Sequence, residues 1–207
     1  EIVRGVQRDQ LRFNLIGFAA ALGVSFLLFR RIGPMLIAAA GPLIGVGWAL
    51  GLLGLAGEPI NALNNVVPSL MLVIGFTDSL HYVFDIGRSR AAGLSAIEAA
   101  WAALRHLGPA CALTTGTSAL GFLPLVLSGA AVLHRFGLAC AAGSVLSFLA
   151  VGLVVPLLAS TRLGASLIAR DEHRGTFWPE RLAAVSLRRP RLVSSVGIVL
   201  CVYLAVA

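Results

Sequence analysis

Between Val66 and Phe84 the chain carries a nearly unbroken apolar run, broken only by short polar side chains and by one carboxylate, Asp78. Such a run is long enough to cross a bilayer, which takes about 20 residues at a helical rise of 1.5 Å each. Runs of this kind recur along the sequence, at about 13–29, 32–56, 63–86, 109–127 and 136–160, and a sixteen-residue run closes the chain at 192–207. Of the 207 residues, 58% are hydrophobic and 12% charged, with a mean hydropathy of +0.91. Soluble domains carry about 25% charged residues, so the composition is that of an integral membrane protein.

The isoelectric point near 10.9 does not point to nucleic acid. All 16 basic residues are arginines, and they lie between the apolar runs, where topology signals belong. With the first span entering from outside, Arg30, Arg31, Arg88, Arg90, Arg105 and the arginines from Arg162 to Arg191 fall on the cytoplasmic side. Arg4, Arg8, Arg12 and Arg135 fall outside. This excess fixes the expected orientation: residues 1–12 outside, and Arg30-Arg31, 86–108 and 161–191 facing the cytoplasm of a multi-pass inner-membrane protein.

The polar stretches divide the chain further. Residues 1–12 read as the stem of an extracytoplasmic domain, and 13–165 as a five-helix bundle. Over 88–107, Ile97, Trp101 and Leu104 repeat at helical spacing with arginines on other faces, which predicts an amphipathic helix on the membrane surface. Residues 166–191 read as a cytoplasmic linker, and 192–207 as a truncated span opening a second half. Glu1 and the unflanked final run read as the ends of a segment of a larger protein. Gly41/Gly45 and Gly47/Gly51 have the spacing that lets membrane helices approach closely. Cys111, Cys140 and Cys201 each fall inside a span with no metal-ligand spacing, and read as buried thiols. No cofactor or metal is implied.

Asp78 is the candidate functional residue. A charged side chain at the bilayer centre costs roughly 2.5–3.5 kcal/mol on insertion scales, and the default reading of such a residue is ion or proton handling. His81 lies on the same helical face three residues on, and Tyr82 and Asp85 continue it. Thr77, Ser79, Thr114 and Thr115 could line a hydrated path, although helix hydroxyls often bond back to their own carbonyls.

Four segments carry a family resemblance. Gly75-Phe76-Thr77-Asp78-Ser79-Leu80-His81 is similar to a Gly-x-(Asp/Ser/Thr)-(Asp/Tyr)-x-x-His signature of a proton-relay helix. Leu53-Gly54-Leu55-Ala56-Gly57-Glu58-Pro59-Ile60-Asn61 is similar to the preceding helix end and loop. Ala112 to Phe122 resembles a Leu-Thr-Thr-x-x-Gly-Phe stretch, and Arg135-Phe136-Gly137 the start of the span after it. Together they resemble the resistance–nodulation–division (RND) superfamily, in its MmpL-like, predicted-exporter branch, related to Patched and the sterol-sensing domains.

The resemblance implies an all-α membrane protein: an RND-type transmembrane helical bundle of five complete spans plus a truncated sixth, with one amphipathic surface helix. It implies proton-driven export of lipids or hydrophobic small molecules, with a relay drawn from Asp78, His81, Thr77, Ser79, Thr114 and Thr115. The implied partners are membrane lipids, a hydrophobic substrate, the second half of the same polypeptide and a possible homo-oligomer. Many relatives have an acid where Thr77 stands, so a one-carboxylate relay is what carries over. A lipid- or sterol-sensing module without proton coupling is the alternative. An intramembrane enzyme is disfavoured, because no HExxH or GxSxG motif and no second catalytic acid appears.

Overall fold

The computed structural model describes residues 2–57 and 66–167, and everything regular in them is helical. The elements are α1 (Ile2–Phe29), α2 (Ile32–Leu55), α3 (Val67–Ala91), α4 (Ala96–Gly121), the single turn α5 (Leu123–Val126) and α6 (Ala131–Ala159), followed by a 3-10 segment, Arg162–Leu167. Residues 2–12, expected as a stem, are the first turns of α1. The calls beyond Leu167, the linker and the sixth span, lie outside the described residues, as does most of the loop after Gly57.

Local chemistry sets the joints. Arg30 closes α1 in the left-handed region, at φ 50, with its N–H on the Phe26 carbonyl, so two residues suffice to reverse the chain into α2. Gly93, at φ 95, makes the turn from α3 to α4, a backbone shape that costs glycine little. Ser95 then caps α4. Its hydroxyl accepts from the Glu98 N–H at 3.3 Å while Glu98 accepts from the Ser95 N–H at 2.9 Å, a reciprocal capping box.

Helix α6 is the hub and touches α2, α3, α4 and α5. Its buried stripe of Gly143, Ser147, Ala150, Val151 and Val155 is mostly small, so the backbones of its neighbours come close. A Cβ on Gly41 would stand 3.1 Å from the Val151 Cα, and one on Gly45 3.0 Å from the Ser147 Cα. Gly47 and Gly51 meet nothing within 4 Å; that pair is not a packing motif within the described bundle. Outside the core the helices present Leu, Ile, Val and Phe to their surroundings, including Leu27, Val73, Leu113 and Leu153, as a bundle solvated by acyl chains requires.

Among the described residues, four helices are long and apolar enough to cross a membrane: α2, α3, α4 with α5, and α6. The first expected span is apolar only over Leu15–Phe29, shorter than the length required, so the expected count of five complete spans is not reached. A second difference concerns 88–107. The last turn of α3 takes Arg88 and Arg90, and the residues from Ala96 belong to one helix that continues through Pro109 to Gly121. Proline lacks an N–H and crowds the carbonyl four residues back, which predicts a break there. Membrane helices tolerate interior proline because neighbours can take up the freed carbonyl, and α2 and α6 also pass through one, at Pro42 and Pro156. The packing stripe differs as well: Ala99 and Ala103 are buried, while Ile97 and Trp101 face outward. The Arg105 guanidinium lies 6.0 Å from the Trp101 ring centroid.

A candidate proton site in the cleft between two spans

Helices α3 and α4 enclose a cavity of about 470 Å³. From α3 it is lined by Val73, Ile74, Thr77, Asp78 and His81, and from α4 by Leu107, Ala110, Cys111, Thr114, Thr115 and Ser118. Both sets recur every three or four residues, so each is one face of its helix. Five of the six residues expected to form the site, Asp78, His81, Thr77, Thr114 and Thr115, therefore meet in one cleft.

They are not equivalent within it. Asp78 is 9% exposed, and Cys111 lines the same cleft from α4. His81, one turn along, is exposed and near enough to interact electrostatically with Asp78. Thr77 returns its hydroxyl to the Val73 carbonyl at 3.0 Å, and Thr114 to the Cys111 carbonyl at 2.9 Å. Both give the cleft a polar rim while spending their proton on their own helix. Thr115 is buried with no hydrogen-bond partner for its hydroxyl, and so is Tyr82. An unpaired buried hydroxyl costs about 1–3 kcal/mol.

Ser79 lies elsewhere. Fully buried, it donates to the Ala38 carbonyl of α2 at 2.7 Å. That carbonyl is the one Pro42, four residues on, leaves without an intrahelical donor. Ser79 thus repairs the proline position of α2, and its expected place in the cleft is corrected.

Three contributors were not singled out from the sequence as site residues. Cys111 read as an inert thiol and Tyr82 as the continuation of a stripe. His106 had no assigned role, yet its Nδ1 lies 3.5 Å from the Asp85 carboxylate, joining α4 to α3 beyond the cleft. Each depends on which face of α4 meets α3, a property of the packed pair; the i, i+4 spacing of Asp78 and Tyr82 was the only advance signal.

A buried carboxylate beside open volume, with an exposed imidazole one turn away, is chemically able to exchange a proton. The MMPL family profile matches residues 1–193. The chain belongs to the MMPL family. This family is part of the RND superfamily, and its members are transporters rather than enzymes. The MMPL chain is also 27% identical over 153 residues to MJ1562 of Methanocaldococcus jannaschii, named as a membrane protein; the match covers 74% of this chain and 39% of that relative. The chain thus spans about two fifths of the relative's length. Family membership and the spanning helices make this MMPL chain a multi-pass membrane protein with a transporter-related bundle.

Proposed function

We propose that this bundle is one membrane half of a proton-gradient-driven exporter of lipids or hydrophobic small molecules in the cytoplasmic membrane, with Asp78 as the group that takes up and releases the coupling proton. The second half of the same polypeptide, with possible self-association, completes the transporter. The observation that carries the reading is the position of Asp78: mid-helix, 9% exposed, and lining the cleft between α3 and α4. A carboxylate costly to insert that borders a cleft with polar groups at its rim has the arrangement a proton carrier needs. One charge moved through 100 mV gains about 2.3 kcal/mol, enough to bias a helix-packing equilibrium. Cys111 and His81 set the carboxylate's surroundings; Thr77 and Thr114 wet the rim.

The test is Asp78→Asn in the full-length protein, reconstituted in vesicles with an imposed pH gradient. Gradient-driven transport should be abolished while the helical content and folded yield persist. Transport that continues at the wild-type rate would remove Asp78 from the mechanism and leave a lipid-sensing or lipid-binding module as the better account.

A further inference from the structure

Where the proton goes after Asp78 is indicated by two features that the cleft alone does not use. One is that two of the three buried hydroxyls without a partner among the described residues, Thr115 in the cleft and Tyr82 one turn along α3, lie near the carboxylate; the third is Ser25 of α1. The other is the Asp85–His106 pair. Asp78, Tyr82 and Asp85 sit at i, i+4 and i+7 and share a face of α3. The level of the Tyr82 hydroxyl is fixed independently by α4, because a Cβ on Gly108 would stand 3.8 Å from it. Gly108 lies between Cys111, which faces Asp78, and His106, which faces Asp85. The phenol oxygen therefore stands at the α3–α4 seam, between the level of the buried carboxylate and the level of the exposed pair. Gly108 contributes no side chain there, so the buried hydroxyl approaches the α4 backbone.

We propose that the Asp78 proton leaves along this seam, through internal water bridging Asp78, Thr115 and Tyr82, to the Asp85–His106 pair, whose imidazole is exposed. The inference rests on the relay reading of Asp78 and adds its release path. Each carrier is conserved in the transfer. Asp78 gives one proton to water, water gives one to the phenol oxygen as the phenol O–H passes its own onward, and the pair gains one; no bond to carbon changes. The cleft that holds Asp78 and Thr115 supplies the volume at the upper end of the path; a phenol both donates and accepts, and a water touching Asp78, Thr115 and Tyr82 would have the two to four polar partners it needs. His106 is mostly exposed, so the last group can hand its proton to bulk water. Arg88 and Arg90 on the last turn of α3 and Arg105 beside His106 stand at the same end. The arginine distribution predicts that this end is cytoplasmic, which makes the seam an inward release path.

Tyr82→Phe keeps the ring packing and removes the hydroxyl. In proteoliposomes of the full-length protein, gradient-driven proton flux should fall on the order of tenfold or more, with a larger slowing in heavy water than wild type shows. His106→Gln should slow flux and move its dependence on internal pH, and Gly108→Leu, which plugs the seam, should reproduce the Tyr82→Phe effect. Asp78→Asn is measured alongside. If it abolishes flux while Tyr82→Phe and His106→Gln run at the wild-type rate with the wild-type isotope effect, the seam is overturned and the relay stands. If Asp78→Asn itself carries wild-type flux, both readings fall. A Tyr82→Phe defect that is wholly explained by lost folded protein, with unchanged flux per folded molecule, also overturns the seam.

Discussion

Ser79 and Asp78 are neighbours in the chain and serve different helices, because consecutive helical positions point about 100° apart. The carboxylate turns to α4 and the cleft; the hydroxyl turns to α2 and takes the carbonyl that Pro42 leaves free. Ser79→Ala is therefore expected to lower stability by about 1–3 kcal/mol, the cost of a buried carbonyl without a donor, measured by thermal unfolding in detergent. Transport per folded molecule should keep its dependence on the pH gradient; loss of that dependence would return Ser79 to the relay. Thr77→Val and Thr114→Val remove hydroxyls already bonded to their own helices, and each should change transport by less than Asp78→Asn by an order of magnitude. That Asp78 and His81 share one face was legible in the sequence from their spacing. Cys111 and Tyr82 were not, because each is compatible with an apolar core until the facing helix is known.

At the scale of the elements, packing of the glycines decides which helices approach. A Cβ on Gly75 would stand 2.5 Å from the Ser147 Oγ, closer than any tolerated contact, and Ser147 in turn bonds the Met71 carbonyl at 3.4 Å. Gly75→Ala should cost about 1–3 kcal/mol through overpacking. In the Ser147→Ala background much of that cost should vanish, a coupling that a double-mutant cycle reads directly; equal costs in both backgrounds would contradict the packing described. Gly47→Ala and Gly51→Ala should be neutral or stabilising by up to about 1 kcal/mol, since nothing adjoins them and alanine is the better helix former. Identical spacing thus hid opposite environments. The spans themselves were readable from hydropathy, and α2 and α6 end close to where it placed them. The boundary expected between 88–107 and the run from about 109 was misplaced because it followed the change in polarity, whereas one helix runs through both from Ala96 to Gly121.

For the whole molecule, the described spans are unequally covered. The apolar windows of α2, α3 and α6 are 39–44% buried, and that of α4 with α5 is 11%. One side of the cleft is thus formed by the least enclosed span. Orientation is checked at the two ends of this span. With native cysteines replaced, Leu94→Cys and Ser128→Cys should react with a membrane-impermeant thiol reagent from opposite sides, Leu94→Cys from the cytoplasm. Labelling of both from one side would show that α4 does not cross.

The bond between Ser79 and the proline position of α2 also limits how the bundle can flex. Turning α3 about its axis would take the Ser79 donor from that carbonyl and drive Gly75 against Ser147. A turn that eased α3 within the cleft would therefore still be opposed on its other side, by α2 and α6.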